Sequence, residues 1–523
     1  MEEKNDSGLS LLKKGRIGLW SILFSRLGMV LILLIMQLVL IFSFFVHFRE
    51  YSSHYYAVNT ILSVAVFFNV INSDNDPTAK ITWMVVIALL PVFGSVLYWY
   101  TKNDIGFNAL KYQLAKILQS TDKRIKQDEN TIANLDKESK ETALLAKYIA
   151  SSGCYPAYTD TDVTYFPTGE DKFRRMLEEL EKAEKFIFLE YFIIDEGVMW
   201  GKILQILARK AKQGVEVMVM YDGSNEFTTL PRDYAGRLAK LGIKCKVFAP
   251  ATPFVSTHYN YRDHRKILVI DGHTAFTGGV NLADEYINVY EKYGHWKDAA
   301  IMLKGPAAKS FSLMFLQMWN IAGQQAEYEK YMSVSPATFE TDSYVIPYGD
   351  SPVDNEKVGK QVYMDIINRA NNYVYIMSPY LILDGDLENR LKFAAARGVD
   401  VRIILPGIPD KITPYALAKT HYRSLISAGV KIYEYQPGFV HSKVFVSDDT
   451  KAVVGTINLD YRSLYHHFEC AAYLYKCDCI PEIVKDFVQT QQLCRQITFE
   501  TIKNEKLFMR ALGRVMKILA PLM

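Results

Sequence analysis

Two histidines head two copies of one residue pattern. His264 is followed by Lys266, Asp271, Gly278-Gly279 and Asn281, and His441 by Lys443, Asp448, Gly455-Thr456 and Asn458. In each copy the Lys lies 2 residues after the His, the Asp 7, the first Gly 14 and the Asn 17, and the copies are 177 residues apart with no internal gap. Two imidazoles in one cleft suit a two-step phosphoryl transfer. One neutral imidazole attacks phosphorus and forms a phosphohistidine. The other, protonated, gives its proton to the departing alkoxide and later takes one from the incoming hydroxyl. Lys266, Lys443, Asn281 and Asn458, with Gly279 and Thr456 beside them, are the candidate binders of the non-bridging phosphate oxygens, where they stabilise transition-state charge. No acidic cluster suited to Mg²⁺ accompanies them, so the reaction is expected to need neither metal nor other cofactor.

Each motif reads as a strand running into a turn, so His264 and Lys266 share one face, as do His441 and Lys443. Asp271 and Asp448 complete the two candidate catalytic motifs but have the opposite parity. Asp271-Gly272 is a hairpin signal, which gives both aspartates a turn-fixing role. A nucleophilic imidazole needs an acceptor on its other nitrogen. Asp298, in His295-Trp-Lys-Asp298, and Glu469, in His467-Phe-Glu469, occupy equivalent places ahead of apolar runs. Each is expected to orient the histidine of its own half: Asp298 for His264, Glu469 for His441.

The elements that must position these groups also come in duplicate. A charged amphipathic segment (171–185), an apolar run (186–194), a helix ending at Gly214 and a strand (215–221) match a helix (358–370), an apolar run (373–378), a helix ending at Gly398 and a strand (399–404). Alternating helices and short apolar strands predict an α/β fold. Two βα domains related by a pseudo-twofold axis would carry mixed, mainly parallel sheets. The first half carries ten extra residues between Lys244 and His264, a stretch with Pro250, Pro253, Tyr259 and Tyr261 that reads as a lid or substrate wall.

The first hundred residues are a different material. Residues 27–45 and 81–100 are apolar runs long enough to cross a bilayer, and 56–71 is a shorter third. Lysines and arginines flank both ends of this region, which argues for two crossings, or three with an outside N-terminus, and a cytoplasmic catalytic domain. The expected divisions are 1–103, a membrane anchor with two or three transmembrane helices; 104–158, a helical linker; 159–340 and 341–498, the two catalytic halves; and 499–523, a basic amphipathic helix suited equally to an anionic membrane surface or to packing on the domain. A net charge of +3 over 523 residues gives no basic footprint for nucleic acid. The six cysteines show neither a disulfide framework nor zinc spacing.

These residues resemble the phospholipase D superfamily, whose signature is H-x-K-x4-D followed by G-[GS]-x-N, over about residues 160–497. More narrowly the chain is similar to bacterial cardiolipin synthases. It shares with them Pro91-Val-Phe-Gly94 with Tyr98, the segment from Gly278 to Tyr286, the segment Asn458, Asp460, Arg462 and Ser463, and a basic tail. Thr456 stands where the family often has Ser and keeps the hydroxyl. The resemblance implies a phosphatidyltransferase of the bacterial plasma membrane, multi-pass and acting among membrane lipids. It would join two phosphatidylglycerol molecules into cardiolipin and glycerol, with His264 as nucleophile. Self-association of the chain is left open. The alternative is a membrane-bound phospholipase D-type phosphodiesterase, either a lipid hydrolase or a nuclease.

Overall fold

Two β-sheets built on the same plan carry the duplicated segments in a computed structural model of the chain. It describes residues 52–522 except 74–75, 103–104, 122–123, 154, 251–260, 324–325, 334–338 and 355, together with residues 9, 11, 35, 39, 42 and 43. The run at 27–45, apart from residues 35, 39, 42 and 43, and residues 251–260 before His264 therefore lie outside the described residues. Chain contacts divide the protein into two units, one chiefly Leu110–Ala251 with Tyr259–Lys517, the other chiefly Lys13–Ala109.

In the first half the strands are β1 (Asp162–Phe166), β2 (Phe186–Tyr191), β3 (Glu216–Asp222), β4 (Lys244–Phe248), β5 (Arg262–Asp263), β6 (Lys266–Ile270), β7 (Thr274–Gly278), β8 (His295–Lys297) and β9 (Ala300–Lys304). The second half contributes β10 (Tyr344–Asp350), β11 (Tyr373–Met377), β12 (Asp400–Pro406), β13 (Lys431–Tyr435), β14 (Gly438–Val440), β15 (Val444–Ser447), β16 (Lys451–Gly455), β17 (His467–Tyr475) and β18 (Cys494–Gln496). The orders β1-β9-β7-β6-β2-β3-β4 and β10-β17-β16-β15-β11-β12-β13 are the same order twice, with β18 added at one edge.

The sheets are mixed, as expected, but mainly antiparallel instead of mainly parallel. Only β2-β3-β4 and β11-β12-β13 run parallel; every other neighbour pair along the two sheets is antiparallel. The reason is local. Parallel neighbours need a long crossover, supplied here by the helices Val198–Lys212 and Gly385–Ala396. The motif strands instead turn back within a few residues. At those turns, three residues long between the pairs Ile270–Thr274 and Ser447–Lys451, Asp271, Gly272, Asp448 and Asp449 all have positive φ (52°, 72°, 52° and 56°), the left-handed backbone that tight hairpin turns use. The crossover helices end just before Gly214 and Gly398, whose φ values of 92° and 95° are left-handed and close helix C-termini readily.

The linker at 104–158 divides into three helices, Ile105–Thr121, Glu129–Glu138 and Lys140–Gly153, because the Asp128 carboxylate caps Thr131 N–H and Ser139 breaks the chain between the second and third.

The other unit contains the helices Ser52–Ile71, Pro77–Leu89 and Pro91–Lys102. The run at 81–100 is thus two helices. Pro91 has no N–H to continue the first, and Leu90 turns to φ −133° and ψ 70°. Gly94 makes the hairpin tight, since a Cβ there would meet Ile87 Cα at 2.9 Å. Tyr98, Trp83, Ile87, Val66 and Val70 form its core. Among the described residues, no helix is long and apolar enough to cross a membrane.

Candidate active site

Both motif histidines are buried at the junction of the two sheets, and the strand pairing there dictates their partners. β5, just ahead of His264, pairs in parallel with the start of β17 in the other half, Arg262 opposite His467 and Asp263 opposite Phe468. β14, just ahead of His441, pairs in parallel with β8, Gly438 opposite His295 and Val440 opposite Lys297. Each motif histidine therefore lies beside the carboxylate of the opposite half. His264 Nδ1 lies 2.8 and 2.9 Å from the two oxygens of Glu469. His441 Nδ1 lies 2.7 Å from Asp298 Oδ2. The expected pairing within halves is corrected to a crossed one. A carboxylate on Nδ1 holds its proton there and leaves Nε2 unprotonated.

Lys266 Nζ donates to the His264 carbonyl at 2.8 Å, and Lys443 Nζ donates to the His441 carbonyl. Lys443 Nζ also lies 2.9 Å from His441 Nδ1. An ammonium has three donor protons, so each lysine keeps capacity for a phosphate oxygen. Burial lowers the pKa of Lys266 to about 8 and of Lys443 to about 7, against the opposing pull of nearby carboxylates. Burial is also the main cause of low imidazole pKa values. Lys443 adds to it at His441, which falls to about 4, and Lys266 and Lys443 add to it at His264, which falls well below the ordinary range. Burial alone would raise Asp298, yet His441 and Lys443 hold it below its usual value. The centre is rich in cationic charge and suited to an anion.

Asp271 and Asp448 do not reach this centre, which removes them from the candidate catalytic set. The Asp271 carboxylate accepts the backbone N–H groups of Glu184, Lys185 and Phe186 at 2.7–2.8 Å. Asp448 accepts those of Asn371, Asn372 and Tyr373 at 2.7–2.9 Å. Each ties the hairpin to the start of the neighbouring strand.

The Gly-x-x-Asn segments play several parts. A Cβ on Gly279 would lie 2.0 Å from Asp298 Oδ1 and 2.8 Å from the His441 carbonyl, so this glycine makes room for the acid that holds His441. Thr456 is fully buried; its hydroxyl donates to Glu469 Oε2 and accepts from Cys470 N–H at 3.0 Å. It therefore supports the acid that holds His264 instead of facing a phosphate. The Asn281 amide spans Ile193 N–H (3.0 Å) and Tyr286 OH (2.8 Å), while Asn458 Oδ1 is buried with no hydrogen-bond partner.

Two supports had no motif to announce them. Lys172 Nζ donates to the Val280 carbonyl at 3.1 Å, and Tyr363 OH donates to the matching Ile457 carbonyl at 2.8 Å. Two rings were legible by alternation, each two residues before a site carboxylate. Trp296 lies 5.2 Å from the His441 ring, and His467 lies 5.4 Å from the His264 ring. Tyr286 and Phe439 complete an aromatic wall around His441, and Phe192 stands beside His264.

A family described as "Cardiolipin synthase, PLD-like domain" matches residues 176–319 and 363–490, one segment in each half, and a "Phospholipase_D-nuclease N-terminal" family matches 61–101. Cardiolipin synthase from Alkalihalophilus pseudofirmus is 32% identical over 88% of this chain and 92% of its own length. The chain belongs to the cardiolipin synthase branch of the phospholipase D superfamily. As a member it is an enzyme of phosphatidyl transfer. An uncharacterized protein of Streptococcus mutans serotype c is 55% identical over 87% of this chain and 98% of its own length. The crystal structure of phosphatidylserine synthase from Haemophilus influenzae superposes with a TM-score of 0.54 at 15% identity, covering 73% of this chain and 98% of that one, which shows the shared fold.

Proposed function

We propose that the chain makes cardiolipin from two phosphatidylglycerol molecules through a phosphohistidine on His264. The observation that carries this reading is the pair of buried imidazoles, each with Nδ1 on a carboxylate of the opposite half. His264 Nε2 attacks the phosphorus of the first phosphatidylglycerol and the bond to its glycerol oxygen breaks. His441, as imidazolium, gives that oxygen its proton, and glycerol leaves. The neutral His441 then takes the proton from a glycerol hydroxyl of the second molecule. That oxygen attacks phosphorus, the P–N bond breaks, and His264 is restored.

Burial lowers the pKa of both imidazoles, so either ring is held neutral as a nucleophile must be; His264 takes that role as the histidine of the first motif. An arriving phosphodiester anion favours the imidazolium of His441. Lys266 and Lys443 supply ammonium protons to the non-bridging oxygens. Asn458, whose side chain lacks a partner for its Oδ1, stands in the same segment as Thr456. The aromatic wall at His441 limits water, which favours a lipid hydroxyl as acceptor over hydrolysis.

The membrane part of the reading rests on composition. The run at 27–45 serves as an anchor in the bacterial plasma membrane, with the catalytic unit on the cytoplasmic side. The C-terminal helix Leu507–Leu519 offers an accessory surface: it seats Met509 and Gly513 inward and leaves Leu507, Phe508 and Val515 exposed beside Arg510 and Arg514.

The test is to incubate purified protein with phosphatidylglycerol in detergent and analyse the lipids. Cardiolipin with an equal amount of glycerol is expected. Phosphatidic acid and glycerol without cardiolipin would make the enzyme a hydrolase.

A further inference from the structure

His467 is the group in the centre that the transfer reaction leaves unexplained. It is 8% exposed, and neither ring nitrogen has a hydrogen-bond partner. It stands two residues before Glu469 on β17 and so shares its face. Its Nδ1 lies 3.7 Å from Glu469 Oε1, and its ring centre lies 5.4 Å from that of His264. The corresponding position at the other histidine holds Trp296, whose ring cannot ligate a metal.

We propose that His264, His467 and Glu469 form an inhibitory site for a borderline divalent transition-metal ion, of which Zn²⁺ is the type. One donor atom from each residue lies within 4.8 Å of the other two. Tetrahedral zinc with nitrogen and oxygen ligands at about 2.0–2.1 Å sets donor–donor separations of about 3.4 Å. The observed 2.8 Å between His264 Nδ1 and Glu469 and the 3.7 Å between His467 Nδ1 and Glu469 straddle that value. Two imidazoles and a carboxylate are a zinc donor set that leaves a fourth position open. Lys266 and Lys443 put positive charge nearby, so the ion binds less tightly than in a closed structural site.

The mode of inhibition follows from the nitrogen used. In the working enzyme Nδ1 of His264 carries the proton and Nε2 carries the lone pair. A metal on Nδ1 needs the lone pair of that nitrogen, so the proton moves from Nδ1 to Nε2 and the ring can no longer attack phosphorus. The ion sits behind the nucleophile, away from the phosphate. It therefore lowers kcat and leaves KM nearly unchanged.

The turnover arm of the test rests on the proposed function; the binding arm does not. Full-length protein in detergent is titrated with ZnCl₂ in a non-chelating buffer, and bound Co²⁺ is followed by its visible absorption and by equilibrium dialysis. One Co²⁺ per chain is expected, with kcat inhibited by zinc, KM unchanged and full recovery on adding EDTA. In His467→Asn and His467→Gln, each compared with its own zinc-free rate, half-inhibition is expected at roughly 10–100-fold higher zinc. His264→Ala, inactive but folded by circular dichroism, is expected to lose the bound Co²⁺. Equal zinc sensitivity in folded His467 variants, inhibition through KM alone, or Co²⁺ retained in His264→Ala would each overturn the site. Failure to make cardiolipin while Co²⁺ binding follows His264 and His467 would overturn the function and leave the site standing.

Discussion

Gly279 and Thr456 occupy equivalent places and solve different problems. Beside Asp298 there is no room for a side chain; beside Glu469 a hydroxyl is needed. Gly279→Ala would push a methyl group into Asp298 Oδ1, at 2.0 Å in the unrelaxed position. The acid must move, and His441 loses the partner that fixes its tautomer. A fall in kcat of at least about 100-fold is expected, with the far-ultraviolet spectrum preserved; near-normal turnover in a folded protein would contradict the crossed pairing. Lys172 offers a pH test at a buried support of the site. It is fully buried, and burial lowers its pKa to about 7. Between that value and its unfolded value of about 10.4 the unfolded chain binds more protons, so this group makes stability rise with pH across that window. Below about 7 the folded protein carries a charge in its core. Lys172→Met removes the charge and also the bond to the Val280 carbonyl. The melting temperature of the variant should rise less steeply than that of the parent between pH 7 and 10, and a parallel slope would refute the assignment.

At the level of strands and helices, much of the site was legible because chemistry and period coincide. The alternation in His264-Arg-Lys266 and His441-Ser-Lys443 identified the shared face. The turn position of Asp271 and Asp448 indicated a tie to the backbone, which their three N–H contacts each supply. That tie yields a prediction. In Asp271→Asn or Asp448→Asn a single acceptor oxygen must serve three donors, so at least one N–H faces an amide NH₂. A cost of about 1–3 kcal/mol is expected at the buried Asp271 and less at Asp448, whose Asn371 and Asn372 donors are exposed to water, read as a lower denaturation midpoint, with kcat within about threefold. A kcat collapse at full stability would return these aspartates to the reacting centre. Other parts were not legible. Sheet direction depended on how soon each strand turned back, which an apolar run does not encode. Lys172 and Tyr363 reach equivalent carbonyls with unlike side chains, so no repeat links them. The break at Pro91 was visible in the sequence, but the length of the apolar run masked it.

Over the whole catalytic unit, the crossed pairing explains why the two halves cannot work apart. Sequence places each acid near its own histidine along the chain, and nothing local reveals that β5 and β14 reach across to β17 and β8. The exchange is a property of the assembled pair of sheets. It also makes the crossing points sensitive. At β14 the approach is close enough that a Cβ on Gly438 would lie 2.3 Å from the His295 carbonyl oxygen and 2.5 Å from its nitrogen, both backbone atoms that cannot swing aside. Gly438 is three residues before His441, and His295 is three before Asp298. Any parting of these strands therefore separates imidazole from carboxylate. Gly438→Val should lower kcat/KM at least about 30-fold and the melting temperature by several degrees, because it removes strand hydrogen bonds and an active-site contact together. Gly385 is the control, since a Cβ there meets nothing within 4 Å; Gly385→Ala should leave both quantities nearly unchanged. If Gly438→Val melted early yet turned over normally, the inter-half strand would be a structural tie alone, and the alignment of His441 with Asp298 would have to come from the sheets themselves.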